Sequence, residues 1–206
     1  MINKSKSIIQ SKSQIILASS SEARRKMLND TGLIFKQYKS DIDEKAIKKN
    51  YKDINLDHLA KKLAESKALY VSNLKRKAYV IGADQICVKQ SKVYSKPEFK
   101  KKAIEQLLEL NGKTHKQISA VSVSYNNKII WSHVEEVKIK MRKLSSQVLK
   151  NYVDLDLPLK SCGAYKFEAN GKYLFSKIEG NTSTIIGLPL FPLLNFLYKK
   201  NIIAYV

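Results

Sequence analysis

The sequence predicts an α/β protein in which a mixed, twisted sheet is flanked by helices. Short apolar runs at residues 15–18 and 78–81 read as buried strands, and they alternate with stretches of helical period at residues 55–74 and 97–110. Two alternating stretches, residues 115–125 and 128–141, are joined by Asn126-Asn127 as a hairpin, which rules out a purely parallel sheet. No repeat and no internal linker interrupts the chain.

Residues 15–18 (IILA) form the first strand. A helix over residues 21–31 follows, entered through Ser19, Ser20 and Ser21, whose hydroxyls can cap its first turn, and stopped by Gly32. Residues 34–40 can form a second strand, leading to an acidic turn at 41–44. From 55 to 74, Leu56, Leu59, Leu63, Leu69 and Leu74 recur at helical spacing, with Lys67 on a neighbouring face. The strand at 78–81 then runs into a polar turn, Gly82-Ala83-Asp84-Gln85. Pro97 suits the first position of a helix over 97–110, with Phe99, Ala103, Leu107 and Leu110 along one side and Asn111-Gly112 at its end. After the hairpin come a serine-capped helix at 145–153, short strands near 164–168 and 173–177, and a closing helix at 189–199.

With 206 residues, 44% of them hydrophobic, the chain can bury a substantial core as one large domain or two small lobes. Its longest apolar run, residues 185–197, is broken by Gly187, Pro189, Pro192 and Asn195, so no segment supplies the ~20 apolar residues of a membrane span. Residues 1–14 are polar and lysine-rich without an apolar centre, and are expected to be a disordered basic leader to a single domain at 15–206. Cys87 and Cys162 have no metal-ligand spacing and suit a reducing cytoplasm. The net charge of +20 could gather polyanions, but only Arg24, Arg25, Arg76 and Arg142 are arginines. Dispersed lysine without aromatic stacking motifs makes nucleic acid an unexpected partner.

His58, His115 and His133 have no second metal ligand at the right spacing, and neither a G-x-S-x-G elbow nor a phosphate-binding G-x-x-x-x-G-K-[ST] loop is present. The serines before the first helix, followed by Arg24 and Arg25, make an anion site, because unpaired N–H groups and the positive end of the helix dipole face the ligand. Asp84 follows an apolar strand, where it is either a cleft carboxylate or a turn residue. Asp43 and Glu44 are hard oxygen donors suited to magnesium, or else a solvated loop. Lys67, Lys96 and Arg24 would supply the opposing charge. Phosphorus–oxygen cleavage needs these parts: cations, a metal and a group that orients water.

In order and spacing, ILASSSEARRKML, IGADQICV, YSKP, NGKTH, CGAYKFE, KIEG and IIGLPL resemble the Maf-like nucleoside triphosphate pyrophosphatases, across residues 15–197. The resemblance implies a Maf/Ham1 (ITPase-like) architecture with a central cleft. It also implies hydrolysis of a nucleoside triphosphate to the monophosphate and pyrophosphate with Mg2+ or Mn2+, as nucleotide-pool housekeeping. On it, Asp84 is the catalytic aspartate, as base or metal ligand, and Ser19, Arg24, Lys67 and Lys96 bind phosphate. Glu44 joins Asp84 at the metal. A homodimer is compatible with it, and the family's association with septum formation leaves a non-catalytic nucleic-acid-binding or cell-division regulator as the alternative.

The chain departs from the branch resembling dTTP and UTP pyrophosphatases at three base-specificity positions. Ala23 stands where that branch has a second arginine, Gln85 where it has threonine, and Glu168 where it has glutamine. An ionised Glu168 can only accept hydrogen bonds, so it suits the donors of guanine and the positive charge of a 7-methylated guanine. IGADQICV and Glu168 resemble the 7-methyl-GTP branch, although AYKFE keeps Ala-Tyr in place of that branch's Ser-Phe. The expected specificity is therefore guanine-type, 7-methyl-GTP-like or broad.

Overall fold

The computed structural model describes residues 7–50 and 55–206; the first six residues of the expected leader lie outside the described residues. In chain order the elements are β1 (Ile9–Ser11), β2 (Ile15–Ala18), α1 (Glu22–Asp30), β3 (Lys36–Tyr38), α2 (Glu44–Asn50), α3 (Leu56–Leu74) and β4 (Tyr79–Lys89). Then come β5 (Lys92–Tyr94), α4 (Lys100–Leu110), β6 (Thr114–Tyr125), β7 (Lys128–Met141), α5 (Ser146–Asp156), β8 (Phe175–Glu179), α6 (Thr182–Ile186), α7 (Leu190–Lys199) and β9 (Ile203–Tyr205). The main sheet is mixed, with strand order β3-β2-β4-β6-β7-β8 and β5 joined to β4. Two compact units divide the chain: the first holds residues up to 84 with 120–134 and 187–206, the second 85–119 and 135–186.

In the first unit β2 runs parallel to β3 and to β4, its register with β4 ending at Ala18↔Gly82. Ile15 and Leu17 pack with Leu28 of α1 and with Leu193 and Leu197 of α7, while Ile16 and Ala18 pack with Val80 and with Val71 of α3. A strand covered on both faces needs an unbroken apolar run, which is why IILA does not alternate. Each of the Ile, Leu and Val side chains among them contributes about 1.5–3 kcal/mol on burial. The hairpin forms as its sequence predicts. Asn126 and Asn127 take φ of 48° and 59°, the left-handed pair of a type I′ turn, and the Asn127 N–H donates to Ser72 Oγ at 3.0 Å.

Several expectations are corrected here. The buried stripe of α3 is Leu59, Ala60, Leu63, Ala64, Lys67, Ala68, Val71 and Ser72, so Lys67 lies within the buried face and Leu74 is exposed. The acidic turn at 41–44 leads straight into a helix, α2, whose polar sequence carries no apolar period. Within the expected leader, Ile9–Ser11 pairs antiparallel with Ile203–Tyr205. Both strands are too short to announce themselves locally, and each is held by the other.

Most consequential is β4. Gly82-Ala83-Asp84-Gln85 is not a turn but part of one strand, Tyr79–Lys89, whose polar residues have tertiary partners.

In the second unit α4 and α5 cover the sheet. Ala103, Leu107, Leu110, Leu149 and Val153 pack with Cys87, Val137, Ile139 and Met141. Helix α4 begins at Lys100 and not at Pro97, because Glu98 has a left-handed φ of 64° and Phe99 is an extended N-cap, 58% exposed. Ser145 caps α5 as expected, and the helix continues to Asp156. Residues 164–168 form no strand. Ala164 has φ 61°, and the Lys166 N–H is taken by Tyr152 Oη at 2.9 Å, so the segment is an irregular turn. A 3-10 turn, Asn170–Leu174, then leads into β8.

Candidate active site

The first unit gathers Ser19, Arg24, Glu44, Lys67 and Asp84. The connection from β2 to α1 is held by local chemistry. Ser21 is the N-cap and accepts from the Arg24 N–H at 3.4 Å, while Ser19 Oγ accepts from the Ser21 N–H at 3.2 Å. The side chain of Gln37 in β3 donates to the Ser19 carbonyl at 2.8 Å. The N-terminus of α1 thereby stands where β2 ends, with Ser20 exposed and Ala23 half-buried in the first turn. Such a terminus attracts anions through its N–H groups and dipole.

Arg24 is only 9% exposed. Its Nε donates to the Gly187 carbonyl at 2.8 Å, and Nη1 to the Ala83 carbonyl at 2.8 Å and to Ser19 Oγ at 3.4 Å. One guanidinium thus ties the serine loop to β4 and to the turn before α7. Its planar fork of donors allows this, which a lysine could not reproduce.

Lys67 Nζ lies 2.5 Å from Asp84 Oδ1 and 2.8 Å from Glu44 Oε1. Lys67 and Asp84 are 8% and 7% exposed, so this ammonium–carboxylate pair is largely shielded from water. Burial alone would raise the Glu44 pKa, but the charge and hydrogen bond of Lys67, joined by Lys48, outweigh it and hold the carboxyl down at about 2. One cation therefore draws two carboxylates to a single point. Among the described residues no group of three or more His, Cys, Asp or Glu side chains could hold a metal. Two carboxylates fit a hydrated magnesium-type ion that completes its shell with water and phosphate oxygens, and not a closed structural site.

Gln85, Lys96 and Glu168 belong to the second unit. The Gln85 amide donates to the Ile185 carbonyl at 2.6 Å and to that of Thr184 at 3.3 Å. Ser119 Oγ also donates to the Thr184 carbonyl, at 2.7 Å, and the Thr184 hydroxyl donates to Glu135 at 2.9 Å. Lys96 is exposed after β5, and Glu168 is exposed in the irregular turn. That turn is anchored by Tyr165, whose hydroxyl accepts from Gln117 Nε2 at 2.7 Å and lies 2.9 Å from His115 Nε2. Burial, helped by the charge of Lys89, pushes the His115 pKa down to about 4, so the ring is neutral near pH 7.

Sequence reasoning missed the two main-chain carbonyls that accept from Arg24, and it missed the close approach at Gly82. The one available signal was a glycine inside an apolar strand pattern, which marks a close approach of backbone.

A family model described as Maf-like protein matches residues 14–200. A nucleoside triphosphate pyrophosphatase of Legionella pneumophila (strain Philadelphia 1) is 39% identical over 190 residues, covering 92% of this chain and 95% of its own. A 7-methyl-GTP pyrophosphatase of Brucella abortus is 37% identical over 194 residues, covering 92% and 98%. Among solved structures, the Ham1 protein of Staphylococcus aureus overlaps 65% of this chain and 72% of its own at 15% identity, with a TM-score of 0.34.

Proposed function

The chain belongs to the Maf-like protein family, and from that premise we propose that it is a nucleoside triphosphate pyrophosphatase, with residues 15–206 as the catalytic domain. Water attacks the α-phosphorus, the oxygen bridging it to the β-phosphorus leaves with pyrophosphate, and the nucleoside monophosphate keeps the new oxygen. The observation that carries this reading is the buried Lys67 bridging Asp84 and Glu44, beside a serine-capped helix N-terminus secured by Arg24.

Ser19 and the start of α1 bind phosphate oxygens, Lys67 and Lys96 add positive charge, and Arg24 completes the phosphate side while holding its loop. Asp84 orients the attacking water, either by taking its proton or as a ligand that would hold the metal, and Glu44 would be the second carboxylate ligand. A bound Mg2+ or Mn2+ would supply neutralising charge on the phosphate oxygens. Glu168, an acceptor only, supports a guanine-type, 7-methylguanine-type or broad preference, with Gln85 and Ala23 as the other two specificity positions. This accords with a relative named as a 7-methyl-GTP pyrophosphatase.

Housekeeping of the cytoplasmic nucleotide pool is the setting this reading favours. A homodimer is compatible with it, and no nucleic-acid partner is needed. Among the described residues no helix is long and apolar enough to cross a membrane. The non-catalytic nucleic-acid-binding or cell-division reading is not favoured, since the relatives are named for an enzymatic activity.

The test incubates the protein with Mg2+ or Mn2+ and a panel of ordinary and 7-methylated nucleoside triphosphates, resolving pyrophosphate from orthophosphate. Wild-type protein releases pyrophosphate, with guanine-type substrates at least equal to dTTP and UTP. Asp84→Asn loses about 10³-fold in kcat. Full activity in that variant would remove Asp84 from both roles.

A further inference from the structure

We infer that Gly82 is a positioning residue for the pyrophosphatase reaction, setting the separation of Lys67 and Asp84 by letting α3 lie directly on β4. A Cβ built on Gly82 would sit 2.2 Å from the Ala64 carbonyl oxygen, 2.6 Å from the Ala68 nitrogen and 2.9 Å from the Ala68 Cβ. Two of these obstacles are main-chain atoms of a helix, which cannot swing aside as a side-chain tip can. No left-handed φ is involved, so the requirement is for space and not for backbone freedom. Ala64 and Ala68 flank Lys67 on the same buried stripe, and Asp84 lies two residues beyond Gly82 on the same strand. The contact at Gly82 and the 2.5 Å ion pair are therefore two readings of one helix-to-strand distance. The Ser124 hydroxyl, donating to the Ala68 carbonyl at 3.0 Å, holds the helix in that place.

A single methyl group at residue 82 forces α3 outward and carries Lys67 away from Asp84 and from the phosphate it serves. The serine loop and Arg24 are untouched, so nucleotide binding survives while turnover suffers. This inference rests on the functional reading above.

Its test measures kcat and KM for pyrophosphate release, per folded molecule, in wild type, Gly82→Ala and Ala68→Ser; the last puts one extra atom into the same gap from the helix side. The expected result for Gly82→Ala is a kcat lower by roughly 10²-fold, the scale of a misplacement near 1 Å, and a smaller loss for Ala68→Ser. KM stays within about threefold, the pattern of an interaction made at the transition state. In the Gly82→Ala background Lys67→Arg, with its longer reach, recovers part of the loss, whereas in wild type it lowers kcat. A kcat per folded molecule equal to wild type in both wedge variants, with only the unfolding temperature reduced, overturns the inference and leaves the functional reading standing. Should Gly82→Ala not fold, Ala68→Ser decides on the same criteria. Wild-type protein that releases no pyrophosphate overturns the functional reading, and this inference with it.

Discussion

The two units differ in the charge of their polar interiors. Among its buried serines the first holds matched ions: Lys67 faces Asp84 and the half-buried Glu44, and Arg24 donates to two main-chain carbonyls and to Ser19. The second buries neutral groups, with Tyr165 between His115 and Gln117, and Gln85 and Ser119 on the Thr184 and Ile185 carbonyls. Burying ions is expensive unless each is matched, whereas a neutral hydrogen-bonded network can hold a loop in shape without that desolvation cost. On the functional reading proposed above, the contrast suits the first unit to chemistry on phosphate. Ions are kept where charge must be met by charge, and neutral groups are used where a backbone has only to be held in place.

Breaking a matched ion should therefore produce the largest effect. Lys67→Met leaves Asp84 buried without its cation and should cost about 3–5 kcal/mol of stability, read from denaturant unfolding. A Lys67→Met/Asp84→Leu double variant should recover most of that stability while remaining inactive. No recovery would mean that the ion pair contributes more than its charge balance.

The neutral network should fail through protonation. His115 titrates near 6.5 when unfolded and about 4 when native, so the unfolded chain binds more protons between those values. Stability is complete above pH 6.5 and falls as pH drops toward 4, by up to about 3 kcal/mol. Thermal melts of wild type and His115→Gln across pH 4–7 should show this slope only in the wild type. An equal slope in both would assign it elsewhere.

The smallest effect belongs to Glu44, which is partly exposed. Its carboxyl is held down at about 2 against an unfolded 4.5, so its contribution is present above pH 4.5 and fades as pH falls toward 2. Glu44→Gln should thus be slightly less stable than wild type at pH 5 and converge with it near pH 2, with a difference damped further by salt.

Elements whose causes are local were legible in the sequence. The serine cap of α1 and the Asn126-Asn127 turn need only their own residues, and β2 and the leucines of α3 announce themselves by pattern. What escaped depended on distant partners. Asp84 looks like a turn residue until Lys67 stands opposite it, and Gln85 until the Ile185 carbonyl does, so the pattern ends β4 at Ile81 whereas the strand continues to Lys89. Helix α3 hid Lys67 in a stripe built from alanines, which leucine spacing does not reveal. Phe99 counted as core by period and proved to be an exposed cap, because the left-handed Glu98 turns the chain before the helix begins.

The bridges made by Arg24 bear on how this sequence can drift over generations. Its acceptors at Ala83 and Gly187 are peptide carbonyls, which every amino acid carries, so no substitution at either position deletes the acceptor itself. Residue 83 is constrained by the room available to a fully buried side chain and residue 187 by its φ of 106°, neither by hydrogen-bonding chemistry. For these two carbonyl bridges the chemistry rests on a single codon, that of residue 24, while residues 83 and 187 are free to vary within the limits of size and backbone shape.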